Sequence, residues 1–580
     1  MGPRFVLART MSIHVSGRRG SGLLRYHVPG ALLGGLLLNG LLLGGGPAIG
    51  QEPERPGAPE RDRTALEARV RELGAQLLAS EVYPGFVVGW VTPWERRVIG
   101  FGALGALDPR VPDGRTLFEI GSVTKVFTGL LLADGVVRGE VALEDTLASR
   151  LPAGWTAPVF SGPRPAEPAA EPPRGEEGSG AGGQAEGRSE TGAPDAAGLE
   201  AGAPQGRAVE RQGAEGAVGG APALGVAAAG AEPIRLWHLA THTSGLPRLP
   251  PGLIGADPSD PYRAFDGKAM EAALAKLRVQ SAPGSVYAYS NLGAGLLGFC
   301  LAGDAPALER RFTERLFGPL GLADTRILLA SEQESRLAAP HGAGGRRGSR
   351  WRFDALAGAG ALHSCADDLL RFAALELGLE PAAGAAPANP LAPELLAALE
   401  LARSERWRSP AGDLALGLGW HLETSSGVRW HNGQTGGYHS YLALDPRQRF
   451  GVVVLANASA GEADLFGLAL RRLLAGEPAA DFGGRAHVAL EPAALEPLVG
   501  EYSAGFLQKR RVFREGPRLF LAETGAEPVR LYPLSPTRFF TRDYGREFEF
   551  EFEGGAGTGP AKALVALRGE RRERAKRIVP

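Results

Sequence analysis

The chain contains 580 residues, too many for one compact core, so two or more domains are expected. Its 63 basic and 64 acidic residues give a formal net charge of −1, which argues against a nucleic-acid-binding surface. Cys300 and Cys365 form neither a disulfide framework nor a Cys-x-x-Cys motif, and one bridge or two buried thiols both remain open. His238 and His242 are four residues apart, but Leu239 stands where a zinc-protease helix needs glutamate. We therefore predict neither a metal nor another cofactor.

Residues 1–50 have the three-part pattern of a secretory signal peptide. The basic Arg18 and Arg25 precede an apolar run at residues 31–43, and mostly small residues follow at 44–50. The apolar run is shorter than the roughly 20 residues that a membrane-spanning helix needs. The pattern predicts a periplasmic or secreted protein, in contact with a membrane only through an uncleaved signal segment. Nothing in the sequence indicates an oligomeric state.

The first domain is expected to cover residues 62–478. Residues 62–80 carry apolar side chains at helical spacing and predict an amphipathic helix. Two runs rich in β-branched and aromatic residues follow at 86–91 and 96–101, and they predict two strands joined through Pro93.

Ser122 and Lys125 form the first motif with chemical potential, just before an apolar helix predicted over residues 126–135. Only six of the 63 basic residues are lysines, and Lys125 alone has a serine three positions before it. A lysine amine, unlike a guanidinium, can lose its proton when it is removed from water. Residues i and i+3 share a helix face, so this amine can activate the hydroxyl as a nucleophile. For an isolated match, the alternative is an ordinary exposed helix pair.

Residues 161–231 differ from the rest of the domain because they contain almost no large apolar side chains. A segment of Gly, Ala, Pro, Glu and Arg cannot bury enough apolar surface to offset its conformational entropy. We therefore predict a disordered insertion within the domain. A tolerated surface insertion is favoured over a functional tether, because lengthening a loop costs little free energy.

The middle of the domain is predicted to be helical. Helices are expected over residues 266–279, 292–302 and 305–317, and the last ends at a Gly-Pro-Leu-Gly stop signal. Ser364, with Asp367 three residues later, predicts the N-cap of a further helix.

Tyr289, Ser290 and Asn291 form the second motif, the only Tyr-x-Asn sequence in the chain. A phenol can accept and return a proton if neighbouring cations lower its pKa. An amide beside it can hold a substrate carbonyl and the lysine together. A capping arrangement at a loop-to-helix junction is the alternative. His242 and Ser244 are interpreted as turn and helix-capping residues, because no Gly-x-Ser-x-Gly elbow accompanies them.

His431, Gly433 and Gln434 belong to the third motif, a glycine-rich segment at residues 430–438. Glycines on an edge strand permit the close approach of a ligand backbone. A hydrogen-bond donor from that strand can face the nucleophile and complete an oxyanion hole. A glycine-rich hairpin with a satisfied histidine is equally consistent with this segment alone.

Strands are predicted at residues 417–420, 429–431, 441–444 and 450–455, followed by an amphipathic helix at 463–474. Strands at both ends of the domain, terminal helices and a helical middle predict an α+β fold, an α/β sandwich. In this fold an antiparallel sheet is flanked by the terminal helices and carries an all-helical subdomain.

Residues 488–580 are predicted to form a small, separate C-terminal β domain. Phenylalanine and glutamate alternate strictly over residues 548–553, which is typical of a strand with one buried and one solvated face. No motif with obvious chemistry falls in this part of the chain.

In this order, the three motifs resemble those of the superfamily of serine β-lactamases and penicillin-binding D-alanyl-D-alanine peptidases, on its class C side. The resemblance covers about residues 64–474 outside the insertion, and Ser-x-x-Lys is a known signature of these enzymes. It implies that Ser122 attacks a carbonyl and becomes the acyl-enzyme, with Lys125 as base. It also implies that Tyr289 relays the proton to the leaving group and later helps to activate water.

The same resemblance implies that Asn291 orients the substrate amide and that the backbone N–H groups of Ser122 and Gln434 form the oxyanion hole. His431 and Gly433 stand where most class C β-lactamases have Lys-Thr-Gly. Histidine is mostly neutral near pH 7, whereas lysine there carries a permanent charge. We therefore expect the affinity for carboxylate-bearing substrates to improve as the pH falls below about 6.5.

The resemblance implies an exported serine hydrolase that acts on β-lactams or on D-alanyl peptide bonds of cell-wall precursors, through an acyl-enzyme on Ser122. An esterase or acyl transferase would use the same machinery. A penicillin-binding or sensing module without turnover is a third possibility. The expected partner is a small molecule or a cell-wall peptide.

Overall fold

The computed structural model describes most of the chain beyond the N-terminal region. The described residues are 60–105, 107–161, 232–253, 257, 259–342, 346, 348–379, 391–480, 487–503, 505, 509–523, 528–541, 546–554, 559–568 and 571–578. The predicted signal peptide at 1–50 and residues 162–231 of the predicted insertion lie outside them.

Helices begin and end as follows in the described residues: α1 (Glu60–Ala79), α2 (Thr124–Val137), α3 (Leu147–Arg150), α4 (Leu236–Ala240), α5 (Gly267–Leu274), α6 (Asn291–Ala302), α7 (Ala305–Phe312), α8 (Gly318–Leu320), α9 (Ser331–Glu334), α10 (Ala366–Glu376), α11 (Pro393–Arg403), α12 (Glu462–Leu474) and α13 (Pro492–Leu495). None of the helices in the part of the chain that the structure describes is both long and apolar enough to cross a lipid bilayer.

Strands are short in the middle of the chain and longer at its ends: β1 (Gly85–Val91), β2 (Arg96–Gly102), β3 (Phe118–Glu119), β4 (Val159–Phe160), β5 (Glu232–Pro233), β6 (His363–Ser364), β7 (Trp407–Arg408), β8 (Ala415–Leu416), β9 (His421–Leu422), β10 (Arg429–Gln434), β11 (His439–Asp445), β12 (Phe450–Ala456), β13 (Gly500–Ser503), β14 (Lys509–Glu515), β15 (Arg518–Glu523), β16 (Val529–Pro533), β17 (Arg538–Phe540), β18 (Glu547–Glu551), β19 (Ala563–Arg568) and β20 (Arg571–Ile578).

An antiparallel sheet with the strand order β2-β1-β12-β11-β10-β9-β8-β7 lies at the centre of the first domain. Phe86, Val88 and Trp90 of β1 pack in one core with α1 and α12, whereas Val87 and Val91 pack in the other core with α2 and α10. Successive side chains of a strand point to opposite faces, so a strand covered on both faces reads as a continuous apolar run. The predicted α+β sandwich is confirmed.

Most predicted elements of this domain are confirmed, including α1, β1, β2, α6, β10 to β12 and α12. The helix predicted over residues 266–279 is shorter: α5 ends at Leu274, where the N–H groups of Lys276 and Leu277 turn back to carbonyls three residues earlier. The segment predicted as one helix at 305–317 passes from α7 into a π turn and α8 before Gly321 ends it in a left-handed conformation.

Two local predictions are wrong. Ser364 is not an N-cap: it lies in β6 and its hydroxyl contacts that of Thr325 at 2.9 Å, while Cys365 precedes α10 without a side-chain cap. Residues 417–420 form the turn between β8 and β9 instead of a strand, and Gly419 there has a φ of 80°. The two cysteines, Cys300 and Cys365, are both free thiols.

The turn at residues 417–420 contacts the backbone of α2 directly. A β-carbon on Gly419 would lie 2.2 Å from the carbonyl oxygen of Lys125, and one on Gly129 would lie 2.1 Å from that of Leu418. Both positions require glycine, because no other residue leaves room for this approach. The contact determines how closely α2 can lie against the end of the sheet.

Strands β13 to β20 form a closed antiparallel barrel. Phe548 and Phe550 of β18 point into its apolar core, and the intervening glutamates point outward, so the predicted C-terminal all-β domain is confirmed. The barrel contacts the first domain through ion pairs, such as Arg530 with Glu81 at 2.8 Å. Arg346 also pairs with Glu515 of the barrel at 3.0 Å.

The substitution Gly129→Ala should destabilise the first domain by about 1–3 kcal/mol, the usual cost of overpacking. The reason is the backbone oxygen of Leu418, which would lie 2.1 Å from the new methyl carbon and cannot rotate away. The free energy of unfolding in urea measures the effect.

Gly135→Ala on the same helix is the matched control. Its β-carbon would lie 3.1 Å from a methyl group of Val141, a side chain that can shift. Alanine also has about 1 kcal/mol better helix propensity than glycine, so the net change should be small. Equal stabilities of the two variants would contradict the packing argument.

Candidate active site

Ser122 lies in a tight turn, Gly121–Val123, that leads directly into α2. Strand β10 packs against this turn, since a β-carbon on Gly433 would lie 2.8 Å from the Ser122 nitrogen and one on Gly121 would lie 2.7 Å from the Gln434 nitrogen. Gly121 also has a φ of 49°, a conformation that glycine adopts at no cost. The first and third motifs are therefore in contact, with the half-buried Ser122 side chain at their junction.

Lys125 is 2 % exposed, and its Nζ lies 2.8 Å from Ser122 Oγ. The amine donates a hydrogen bond of 2.6 Å to the carbonyl oxygen of Ala359. Burial lowers the pKa of Lys125 well below its ordinary value of 10.5, and the nearby charge of Arg248 lowers it further. A neutral amine in this position has a lone pair that can accept the proton of the serine hydroxyl.

Hydrogen bonds hold α2 against the segment that supplies the carbonyl group. The Thr128 hydroxyl donates to the carbonyl oxygen of Gly358 at 2.9 Å, and the Leu362 N–H donates to the Thr124 hydroxyl at 3.1 Å. The amine is thus held by a rigid pair of backbone segments, which preorganises it toward Ser122.

Tyr289 places its ring centroid 4.9 Å from the Nζ of Lys125. Burial raises the pKa of Tyr289 above its ordinary value of 10.0, and the contact with the Ser122 hydroxyl and the charge of Arg248 oppose that rise only in part. Neighbouring cations therefore do not bring the pKa of this phenol below its ordinary value, because desolvation outweighs them. Tyr289 is protonated and suited to give a proton.

Asn291 is the first residue of α6, which Ser290 caps by accepting a 2.9 Å hydrogen bond from the Gly293 N–H. The Nδ2 of Asn291 donates a hydrogen bond of 2.9 Å to the Tyr262 hydroxyl, so in this structure the amide holds that phenol and not Lys125. Its Oδ1 is buried and has no hydrogen-bond partner among the described residues. A substrate N–H could satisfy this oxygen.

His431 is 1 % exposed, and its Nε2 is buried without a hydrogen-bond partner in the part of the chain that is described. Burial lowers the pKa of His431 well below its ordinary value of 6.5, and protonation of His421 or Lys125 would lower it further. The expected gain of positive charge on this side chain just below pH 6.5 is therefore wrong. His431 presents a neutral imidazole to the site.

His242, interpreted from the sequence as a turn or capping residue, belongs to the site. It has a φ of 56°, and its Nδ1 accepts a 3.1 Å hydrogen bond from the Ser290 N–H. Its ring centroid lies 4.3 Å from that of Tyr289, so the imidazole supports the phenol. Ser244, by contrast, accepts a hydrogen bond from the Leu246 N–H and acts in a turn.

Sequence reasoning missed further residues around the phenol and the histidine. His421 contacts the Tyr287 hydroxyl at 3.1 Å, and its ring centroid lies 5.0 Å from that of His431. Arg248 places its guanidinium carbon 5.1 Å from the Tyr289 ring centroid. No local spacing could reveal these contacts, since His421 and Tyr287 are 134 residues apart.

The arrangement brings a serine hydroxyl, a neutral amine and a protonated phenol together at one end of the sheet. Such a set can deprotonate an attacking hydroxyl and protonate a departing group without a cofactor. No group of three or more His, Cys, Asp or Glu side chains within the described ranges is placed to hold a metal ion.

Comparison with known proteins gives a consistent result. A family model described as Beta-lactamase matches residues 70–477. The D-alanyl-D-alanine-carboxypeptidase/endopeptidase AmpH of Escherichia coli K12 is 30% identical over 234 residues, which are 39% of this chain and 59% of that protein. The match thus spans less than two thirds of that relative. A beta-lactamase of the same strain is 23% identical over 419 residues, or 66% of this chain and 86% of that protein.

Solved structures of this architecture also match. A class C beta-lactamase aligns with a TM-score of 0.50 and 16% identity, over 72% of this chain and 98% of its own. The D-alanine carboxypeptidase AmpC from Burkholderia cenocepacia aligns with a TM-score of 0.49 and 20% identity, over 71% of this chain and 99% of its own. Because the class C beta-lactamase is only 16% identical to this chain, its similarity supports the fold alone.

The reactivity of Ser122 should rise with pH and level off well below pH 10.5, because only the deprotonated amine of Lys125 can accept the hydroxyl proton and its pKa is lowered. The rate constant for labelling by an alkyl fluorophosphonate, followed by intact-protein mass spectrometry, measures this dependence.

Lys125→Arg should slow the labelling by at least about a hundredfold, because a guanidinium stays protonated. The same change at the exposed Lys268 is the control and should leave the rate unchanged. A rate that still rises through pH 10.5, or an unimpaired Lys125→Arg variant, would contradict the assignment of the base.

Proposed function

The chain belongs to the beta-lactamase family and is a serine hydrolase, and from this premise we propose that it is an exported enzyme that forms an acyl-enzyme on Ser122. The proposed substrates are D-alanyl peptides or β-lactams. The observation that carries the proposal is the 2.8 Å contact between Ser122 Oγ and the buried amine of Lys125. Export is supported by the signal-like pattern of residues 1–50.

In the proposed acylation, Ser122 Oγ attacks the carbonyl carbon and its proton passes to the neutral amine of Lys125. The backbone N–H groups of Ser122 and Gln434 are assigned to the carbonyl oxygen as negative charge develops there. When the tetrahedral intermediate collapses, the hydroxyl of Tyr289 protonates the leaving group, and the Lys125 ammonium returns a proton to the phenol. At the end of acylation the acyl group is on Ser122, Lys125 is again a neutral amine and Tyr289 is again a protonated phenol.

Hydrolysis of the acyl-enzyme then requires a water molecule in place of the leaving group. The same pair of groups would accept a proton from the water and return one to Ser122 Oγ as the ester bond breaks. The buried, partner-free Oδ1 of Asn291 supports a role in holding the substrate amide through its N–H.

D-alanyl peptides are the favoured substrates. The AmpH relative is named as a carboxypeptidase and endopeptidase of this bond, although the match covers 59% of its length. An esterase or acyl transferase is the second candidate, because the neutral His431 requires no charged group in the substrate. The motifs do not separate the two, since both chemistries pass through the same acyl-enzyme.

Incubation with a fluorescent penicillin, followed by peptide mass spectrometry, should place the adduct on Ser122. Ser122→Ala should remove the adduct, and Ser335→Ala at an exposed position should retain it. Absence of an adduct on Ser122 in the wild-type protein would contradict the proposal.

The substrate class follows from kcat/KM for a D-Ala-D-Ala peptide, nitrocefin and a short nitrophenyl ester. We expect peptide turnover with slow release of the penicillin adduct. Rapid release would assign a β-lactamase, and ester turnover alone would assign the second candidate. An adduct without turnover of any substrate would instead identify a binding or sensing module.

A further inference from the structure

Arg248 stands at the edge of the candidate active site in a fixed position. Its backbone carbonyl accepts hydrogen bonds from the N–H groups of Asn291 at 2.9 Å and Leu292 at 3.3 Å, at the start of α6. Its side chain is exposed, and the guanidinium carbon lies 5.1 Å from the ring centroid of Tyr289. The chain therefore holds a solvent-accessible cation directly beside the proposed proton donor.

The guanidinium has no ion pair or side-chain hydrogen bond with any residue in the described ranges. Its charge acts on neighbouring ionisable groups, and the pKa values that it lowers are those of Lys125, His242, Tyr262, Tyr287 and Tyr289. None of these neighbours is a carboxylate. A guanidinium carries five N–H donors in a planar fork that matches a carboxylate. Arg248 thus has unused capacity to bind an anion.

The other basic side chains near the site are either paired with carboxylates or have a lowered pKa. Arg352 pairs with Asp260 at 2.7 Å, and Arg350 pairs with Glu334 at 2.7 Å. Burial lowers the pKa of Lys125 and disfavours its charged form, and it keeps His431 neutral near pH 7. Among the described residues around Tyr289, Arg248 is the permanent cation without an acidic partner.

We propose that Arg248 is a specificity-determining residue that binds a carboxylate on the leaving-group side of the substrate. The side is assigned because Arg248 lies beside Tyr289, which protonates the leaving group in the proposed mechanism, so this inference rests on the proposed function. The C-terminal D-alanine released from a D-alanyl peptide carries such a carboxylate. Arg248 would pair with it in a charge-assisted, bidentate hydrogen bond.

Two esters of N-acetyl-D-alanine test the inference. One has 3-hydroxybenzoate as its leaving group, and the other has the neutral methyl ester of 3-hydroxybenzoate. The readout is the kcat/KM of the carboxylate-bearing ester divided by the kcat/KM of the neutral ester. Any effect common to both substrates cancels in this ratio. Arg248→Gln should lower this ratio about ten- to a hundredfold, the size expected for one charge-assisted pair. The ratio for Arg248→Lys should lie between those of the wild-type enzyme and Arg248→Gln, because lysine keeps the positive charge but lacks the planar fork of donors.

Arg278→Gln, at another exposed arginine, is the matched control and should leave the ratio unchanged. In the wild-type enzyme the ratio should be constant between about pH 6 and 9, because a guanidinium stays protonated there. A ratio that Arg248→Gln leaves unchanged, even if both rates fall, would overturn the inference. So would a ratio that rises as the pH falls through this range, which would assign the charge to a histidine.

The same measurement separates this inference from the proposed function. Turnover of both esters with a ratio that Arg248→Gln leaves unchanged would overturn the role of Arg248 alone. Turnover of neither ester, together with no penicillin adduct on Ser122, would overturn the proposed function and the inference with it.

Discussion

The chemistry of this protein depends on the removal of one lysine amine from water. Lys125 is buried in the first turn of α2, and its Nζ is hydrogen-bonded to Ser122 Oγ and to the carbonyl oxygen of Ala359. A buried ammonium without a carboxylate partner is costly, so the neutral amine is favoured. The fold thus favours the form of this side chain that can act as a base.

Several packing contacts keep this amine in place. Glycines at positions 129 and 419 allow the turn at residues 417–420 to contact α2 backbone to backbone, and Gly433 allows β10 to approach the turn that carries Ser122. The apolar side chains of α2, such as Val126 and Leu130, anchor the helix in the larger core. Because the glycine contacts join backbone to backbone, the geometry of the site depends little on flexible side chains.

The sequence predicted much of this arrangement. Local periodicity is a reliable guide where one face of an element is apolar, and it placed α1, α6 and the long strands correctly. The family resemblance carried by three short motifs implied that Ser122, Lys125 and Tyr289 share one site. Residues 417–420 were wrongly predicted to form a strand because they include apolar side chains. These side chains are buried in a turn, where burial does not follow the two-residue repeat of a strand.

Protonation states and long-range contacts were beyond the sequence. The pKa of His431 and of Tyr289 is set by how deeply each side chain is buried, which becomes known only when the chain is folded. The roles of His242 and Arg248 depend on contacts with residues more than 40 positions away. Composition and spacing report nothing about such contacts.

Direct titration of the lysine amines by nitrogen NMR tests the central claim most closely. The chain contains only six lysines, so a protein labelled with ζ-¹⁵N lysine gives a simple spectrum, and Lys125→Arg identifies the resonance of interest. We predict that the Nζ of Lys125 titrates well below pH 10.5, separately from the exposed lysines. Titration of all six amines together near pH 10.5 would contradict it.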